Sequence, residues 1–127
     1  MTTKRRILLI DDDAAVTSYL MVKLAKLFEV SSINDPRQAV AMARIDRPDA
    51  ILCDIDMPHM SGGDVTAALA ADPQTARIPV IYLTSLVSPQ EAEDLQGQVG
   101  GRPGVSKRAP LAELVEAIDK VTGAGAG

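Results

Sequence analysis

Ala50-Ile51-Leu52-Cys53-Asp54-Ile55-Asp56-Met57-Pro58 is an apolar run that stops abruptly at two acids and a proline. Ala50 to Cys53 are too few for a helix and suit a strand covered on both faces, as strands of parallel sheets are. Asp54 then stands at the carboxyl end of that strand. Earlier in the chain, Ile7-Leu8-Leu9-Ile10 stops in the same way at Asp11-Asp12-Asp13. Two such strands deliver acids to one edge of a sheet, the edge where open α/β sheets hold their ligands.

Outward from these two runs, strand-like and helix-like stretches alternate along the whole length, the pattern of an α/β fold with a parallel sheet wrapped by helices. The first strand spans residues 5–10, and a helix over 14–27 follows with Val16, Leu20, Leu24 and Leu27 on one face. Residues 28–33 read as the second strand. Asn34-Asp35-Pro36 supplies a polar cap and a proline at the first helical position, and starts a helix to Arg44 or Ile45. After the third strand Gly62-Gly63 opens a helix through Ala70, and residues 79–83 form a fourth strand that ends at Thr84-Ser85. Ser88-Pro89-Gln90-Glu91 has capping-box spacing and predicts a short fourth helix. Gly97, Gly100, Gly101, Pro103 and Gly104 then squeeze a fifth strand into residues 104–106. Pro110 starts a last helix whose apolar face is Leu111, Leu114, Val115, Ile118 and Val121, and residues 123–127 read as a frayed glycine and alanine tail.

The 127 residues fit one domain with a core of its own and leave no room for a second, output domain. Hydrophobic residues at 46% and charged residues at 24% are ordinary for a soluble globular chain, and no apolar run reaches the roughly 18 residues of a membrane span. Lys4-Arg5-Arg6 is followed by too short an apolar run for a signal peptide, so the expected location is cytoplasmic. Cys53, the single cysteine, reads as a small core residue. A net charge of −4 and the lack of a basic stripe argue against nucleic acid as the direct partner.

If the strands are parallel, Asp11, Asp12 and Asp54 converge, with Asp13 and Asp56 as further candidates. Two carboxylates about 4 Å apart repel by about 4 kcal/mol at an effective dielectric near 20, so a bound cation or a raised pKa must relieve them. Hard oxygen ligands without imidazole or thiolate suit Mg²⁺. Solvated acids near helix N-termini would explain one Asp-Asp pair, but not acids at two separate strand ends.

Ile-Leu-Leu-Ile-Asp-Asp-Asp at 7–13, Asp-Ile-Asp-Met-Pro-His-Met-Ser-Gly at 54–62, Thr84-Ser85 and Lys107 together resemble the receiver domain of two-component response regulators, over essentially the whole chain. The resemblance implies a CheY-like, flavodoxin-like three-layer sandwich, with a five-stranded parallel sheet in the order 2-1-3-4-5, over residues 1–122. It makes Asp54 the acceptor of a phosphoryl group from a histidine kinase or histidine phosphotransfer protein. Mg²⁺ would be held by Asp12 and Asp54, by Asp11 through water and by the Asp56 carbonyl. Thr84 would bond a phosphoryl oxygen, and Lys107 would pair with Asp54. The implied protein is not a conventional enzyme but a stand-alone phosphorylation switch that docks to a downstream protein.

Two departures from the family stand out. Lys107 is followed by Arg108 where the family has proline after a cis bond, so a trans Lys107–Arg108 bond is expected, with Lys107 aimed less directly at Asp54 and a looser loop. Gly104 stands where the family carries a switching aromatic ring. These departures favour one alternative, a degenerate receiver that signals without phosphorylation. A second alternative, a haloacid-dehalogenase-type phosphatase, rests on Asp54 and Asp56 alone. Tyr82 and His59 read as sheet packing and as a loop residue. Ala14, Ala15, Met21, Val22 and Ala25 fall opposite the core stripe of the first helix, a face expected to dock the phosphodonor.

Overall fold

Residues 4–84, 98–99 and 102–123 are described by the computed structural model. Ile7 to Ile10 have no exposed surface and form β1 (Arg6–Ile10), as a strand covered on both faces requires. α1 (Ala14–Leu24), β2 (Glu29–Ile33), a 3-10 turn over Pro36–Gln38 and α2 (Ala39–Asp46) follow. Next come β3 (Ala50–Asp54), α3 (Gly62–Ala70) and β4 (Val80–Thr84). β5 (Gln98–Val99), β6 (Arg102–Ser106) and α4 (Leu111–Thr122) complete the described elements.

The sheet runs β2-β1-β3-β4-β6-β5. Its first five strands pair in parallel, so the parallel strands have the expected order 2-1-3-4-5. β5 is a two-residue antiparallel addition to the β6 edge, in a stretch that the sequence reads only as broken by glycine. β6 itself begins at Arg102, two residues ahead of the expected start.

Side chains alternate across the strands and build a core on each face. Ile7, Leu9, Leu52, Ile81 and Leu83 pack with Leu20 and Leu24 of α1 and Leu114 and Ile118 of α4. Leu8, Ile10, Ile51, Cys53 and Tyr82 pack on the other face with Ala39 and Ala43 of α2 and Val65 and Leu69 of α3. Each fully buried Leu or Ile contributes roughly 1.5–3 kcal/mol. A one-residue slip in register would turn every one of these side chains to the wrong layer.

α1 is shorter than the sequence predicts. It ends at Leu24, Leu27 is 49% exposed, and Phe28 takes the buried place at 2%. Met21 does not lie on the outer face: it packs against the core, where the Ser32 hydroxyl lies 3.2 Å from its sulfur. The exposed apolar residues of α1 include Tyr19 and Val22. The helix expected from Ser88 lies outside the described residues. α4 stops at Gly123, whose φ of 71° suits glycine and whose N–H donates to the Asp119 carbonyl at 2.8 Å; the rest of the expected tail is outside the description. No helix among the described residues is long and apolar enough to cross a membrane.

Candidate functional site

The loop after β1 begins as a continuation of the sheet, because the Asp11 N–H still donates to the Ile33 carbonyl of β2 at 3.2 Å. Asp11 is fully buried. Its Oδ1 accepts from the Asp13 N–H at 2.9 Å, and Asp13 in turn caps α1 by accepting from the Ala15 N–H at 2.9 Å. Asp13 is thereby committed to the helix, and Asp12 between them is exposed. Asp54 closes β3 and is 6% exposed. The chain folds back over it tightly: a Cβ on Gly62 would lie 2.7 Å from the Asp54 carbonyl oxygen, and the Gly62 N–H donates to the Ile55 carbonyl at 2.7 Å. Ser61 and Asp64 then form a reciprocal capping box that starts α3.

Lys107 follows β6, where its backbone N–H donates to the Thr84 carbonyl at 2.9 Å. Its ammonium lies 2.8 Å from Asp11 Oδ2 and 3.1 Å from Asp54 Oδ1. There is no cis bond among the described residues, so Lys107–Arg108 is trans as expected. The expected loss of aim does not follow, because Lys107 reaches Asp54 from a trans backbone. Nor is the loop untethered: the Arg108 N–H donates to Ser106 Oγ at 3.1 Å, and Lys23 Nζ donates to the Ala109 carbonyl at 2.8 Å.

Carboxylate oxygens of Asp11, Asp12 and Asp54 all lie within 4.8 Å of one another. At that spacing each pair repels by about 3.5 kcal/mol at an effective dielectric near 20, and one ammonium contacts two of the three acids. Burial raises the Asp54 carboxyl above the usual carboxylate range, the Asp11 charge raises it further, and Lys107 opposes both. For Lys107, burial works against the charged form, but hydrogen bonds to Asp11 and Asp54 outweigh it and hold the ammonium above its usual range. Burial pushes the neighbouring Cys53 thiol up to about 12, which leaves no thiolate to compete as a ligand or nucleophile. Asp11 Oδ2 is buried and faces the Lys107 ammonium at 2.8 Å. Three carboxylates offering oxygen donors within 4.8 Å, with one ammonium beside them, fit a small hard cation such as Mg²⁺.

The sheet edge thus brings together Asp11, Asp12, Asp54 and Lys107, with Thr84 buried at the end of the adjoining β4. The Asp56 side chain is exposed and stands outside the three-acid cluster. His59, exposed in the same loop at φ 74°, is likewise a loop residue. The sequence profile of the response regulator receiver domain matches residues 7–119. The chain belongs to the response regulator receiver family.

Among curated relatives, response regulator PleD of Caulobacter vibrioides is 46% identical over 82 residues, covering 64% of this receiver and 18% of PleD. DNA-binding response regulator MtrA of Mycobacterium bovis is 38% identical over 85 residues, covering 66% of this chain and 36% of MtrA. The receiver therefore matches about a fifth to a third of these relatives. Among solved structures, the Vibrio cholerae chemotaxis protein CheY4 superposes with a TM-score of 0.77 at 26% identity, covering 94% of this chain and 99% of that one. The receiver domain of sensor histidine kinase PA1611 from Pseudomonas aeruginosa, solved with magnesium in its active-site cleft, gives 0.77 at 28% identity, covering 95% and 99%.

One side-chain contact on the acid loop of this receiver escapes sequence reasoning. The second helical segment is capped by Asp35, which accepts from the Arg37 N–H at 3.0 Å, and Asn34 is released from that task. Its amide instead donates to the Asp11 carbonyl at 2.8 Å and to Thr17 Oγ1 at 3.0 Å. The available signal was that Asn34-Asp35-Pro36 holds two capping side chains for one cap position.

Proposed function

We propose that this receiver is a phosphorylation switch whose acceptor is Asp54. The observation that carries the reading is the placement of Asp54, nearly buried at a strand end, 3.1 Å from the Lys107 ammonium and within 4.8 Å of two further carboxylates. A carboxylate oxygen of Asp54 attacks the phosphorus of a phosphohistidine on a histidine kinase or histidine phosphotransfer protein. A P–O bond forms as the P–N bond breaks, and the imidazole nitrogen leaves with the electron pair. Asp12 and Asp54, with Asp11 through water and the Asp56 carbonyl, would hold Mg²⁺. Bound there, Mg²⁺ supplies neutralisation of phosphoryl charge. Lys107 keeps its ammonium at the acceptor, and Thr84 offers a hydroxyl to a phosphoryl oxygen. The aspartyl phosphate then alters the surface around Thr84, which docks a downstream protein rather than nucleic acid, while the surface of the last strand, with Gly104 in place of a ring, changes only weakly.

Incubation with acetyl phosphate and Mg²⁺, followed by intact-mass measurement, tests this. The wild-type chain should gain one labile phosphoryl group and Asp54→Asn none. A wild-type chain that gains none would instead be the degenerate scaffold, and one that consumes substrate without retaining phosphoryl would be a phosphatase.

A further inference from the structure

We propose that Asn34 is a positioning residue for the cation site. Its amide clamps the Asp11–Asp12 peptide to α1 and thereby sets how the two carboxylates are presented. The inference rests on the reading that these acids hold Mg²⁺.

The Asp11 N–H makes the last backbone rung from β1 to β2, through the Ile33 carbonyl. If β2 ran on in register, a backbone N–H would fill the next rung, at the Asp11 carbonyl. The chain instead turns away so that Asp35 can cap the next helical segment. Asn34 fills the vacated rung with its side chain, at 2.8 Å. A carbonyl oxygen only accepts, so the amide nitrogen must face Asp11. The second contact agrees in direction: Thr17 Oγ1 donates to the Ala14 carbonyl at 3.1 Å and accepts from Asn34 at 3.0 Å. Thr17 is 3% exposed and rigidly held in the first turns of α1.

One amide therefore joins three segments: the exit of β2, the acid loop and α1. Asp12 is exposed, and no hydrogen bond or ion pair among the described residues fixes its carboxylate, so the orientation of the peptide before it decides where that carboxylate lies. An outer partner of this kind typically matters tenfold or more to metal affinity.

Calorimetric titration of the whole chain with MgCl₂ tests the proposal. Asn34→Ala should weaken Mg²⁺ binding by about tenfold, while the metal-free melting temperature changes little. Asn34→Asp keeps the shape, removes both donors and adds a negative charge. Added charge alone would tighten Mg²⁺ binding, whereas the proposal requires it to weaken. Thr17→Val, which removes half of the clamp, should weaken binding about twofold to threefold, and Thr17→Ser should restore it. With acetyl phosphate as donor, Asn34→Ala should need more Mg²⁺ for half-maximal phosphorylation yet reach the wild-type maximum. Wild-type affinity in Asn34→Ala, or tighter binding in Asn34→Asp, overturns the proposal. Asp12→Ala separates the two readings. If wild type binds Mg²⁺, Asp12→Ala does not and Asn34→Ala binds like wild type, the clamp falls alone; if wild type does not bind, the cation site and the clamp fall together.

Discussion

The two ends of the sheet handle charge in opposite ways. At the amino edge three acids have partners of their own: Asp49 accepts from the Arg6 N–H at 2.8 Å, Asp119 pairs with Arg5 at 2.7 Å, and Asp72 pairs with Arg44 while accepting from the Gln74 N–H at 2.8 Å. At the carboxyl edge three acids crowd together and one lysine pairs with two of them, Asp11 and Asp54. Paired acids stitch loops to the sheet and ask for nothing more. A crowd of acids with too few cations is kept at a cost in stability, and that imbalance is the ground for the proposed cation and phosphoryl site.

The sharpest way to break this comparison is to remove the one cation. Lys107→Ala leaves a fully buried Asp11 beside Asp54 without compensation, and should destabilise the metal-free chain by about 2–3 kcal/mol, below the usual range for buried pairs because Lys107 is partly exposed. Mg²⁺ should then recover more stability in the variant than in wild type, as read by denaturant midpoints with and without MgCl₂. Equal recovery in both would mean that lysine and metal do not serve the same charges. Gly62→Ala attacks the same edge by shape. Its new Cβ would meet the Asp54 carbonyl at 2.7 Å and the Ile55 Cα at 3.0 Å, both backbone. Overpacking should cost about 1–2 kcal/mol after the gain in helix propensity, and the displaced loop should slow phosphorylation by acetyl phosphate.

Much of this edge was legible because burial in a parallel sheet leaves a plain trace. Apolar runs such as Ile7 to Ile10 and Ala50 to Cys53 have no alternative but strands, and an acid directly after such a run can only lie at a strand end. The trans bond at Lys107 followed from the absence of proline. What the sequence hid was side-chain geometry. Leu27 continues the helical spacing of α1, but the chain leaves the helix before it and buries Phe28 in its place. Met21 sits at an outward angle on an ideal helix, yet its long flexible side chain bends back onto the core. Asn34 and Asp35 are equally good caps, and only the turn decides which is freed. That Lys107 would lie as near to Asp11 as to Asp54 depends on the register of β6 against β4, which the glycine-rich stretch conceals.

A gentler test uses pH. Because the Asp54 carboxyl is raised above the usual carboxylate range by burial and by Asp11, the folded chain keeps a proton there that the unfolded chain has already lost. Stability from this group should therefore fall as pH rises from the ordinary carboxylate value through the raised one. Asp54→Asn should lack that fall and be more stable than wild type at neutral pH without metal, by about 1 kcal/mol. Denaturant midpoints across the acidic range would show the two curves diverging; parallel curves would mean that the crowding carries no energetic cost.

The smallest effect is expected at the amino edge. Arg44 and the Gln74 N–H hold the Asp72 carboxyl below the usual carboxylate range, so their contribution is present at and above that range and is lost as pH falls through the lowered value. Arg44→Ala should reduce the melting temperature slightly at neutral pH, with the gap closing in acid. Because Arg44 is half exposed, salt should shrink the gap as well. The decisive readout is the other edge. A pair whose only role is to fasten the α3–β4 connection to α2 can be cut without touching the carboxylates at the far ends of the strands, so Mg²⁺ affinity and phosphorylation should stay at wild-type values. A change in either would mean that the paired edge and the crowded edge are coupled through the sheet, and that the neat division of charge between structure and function does not hold.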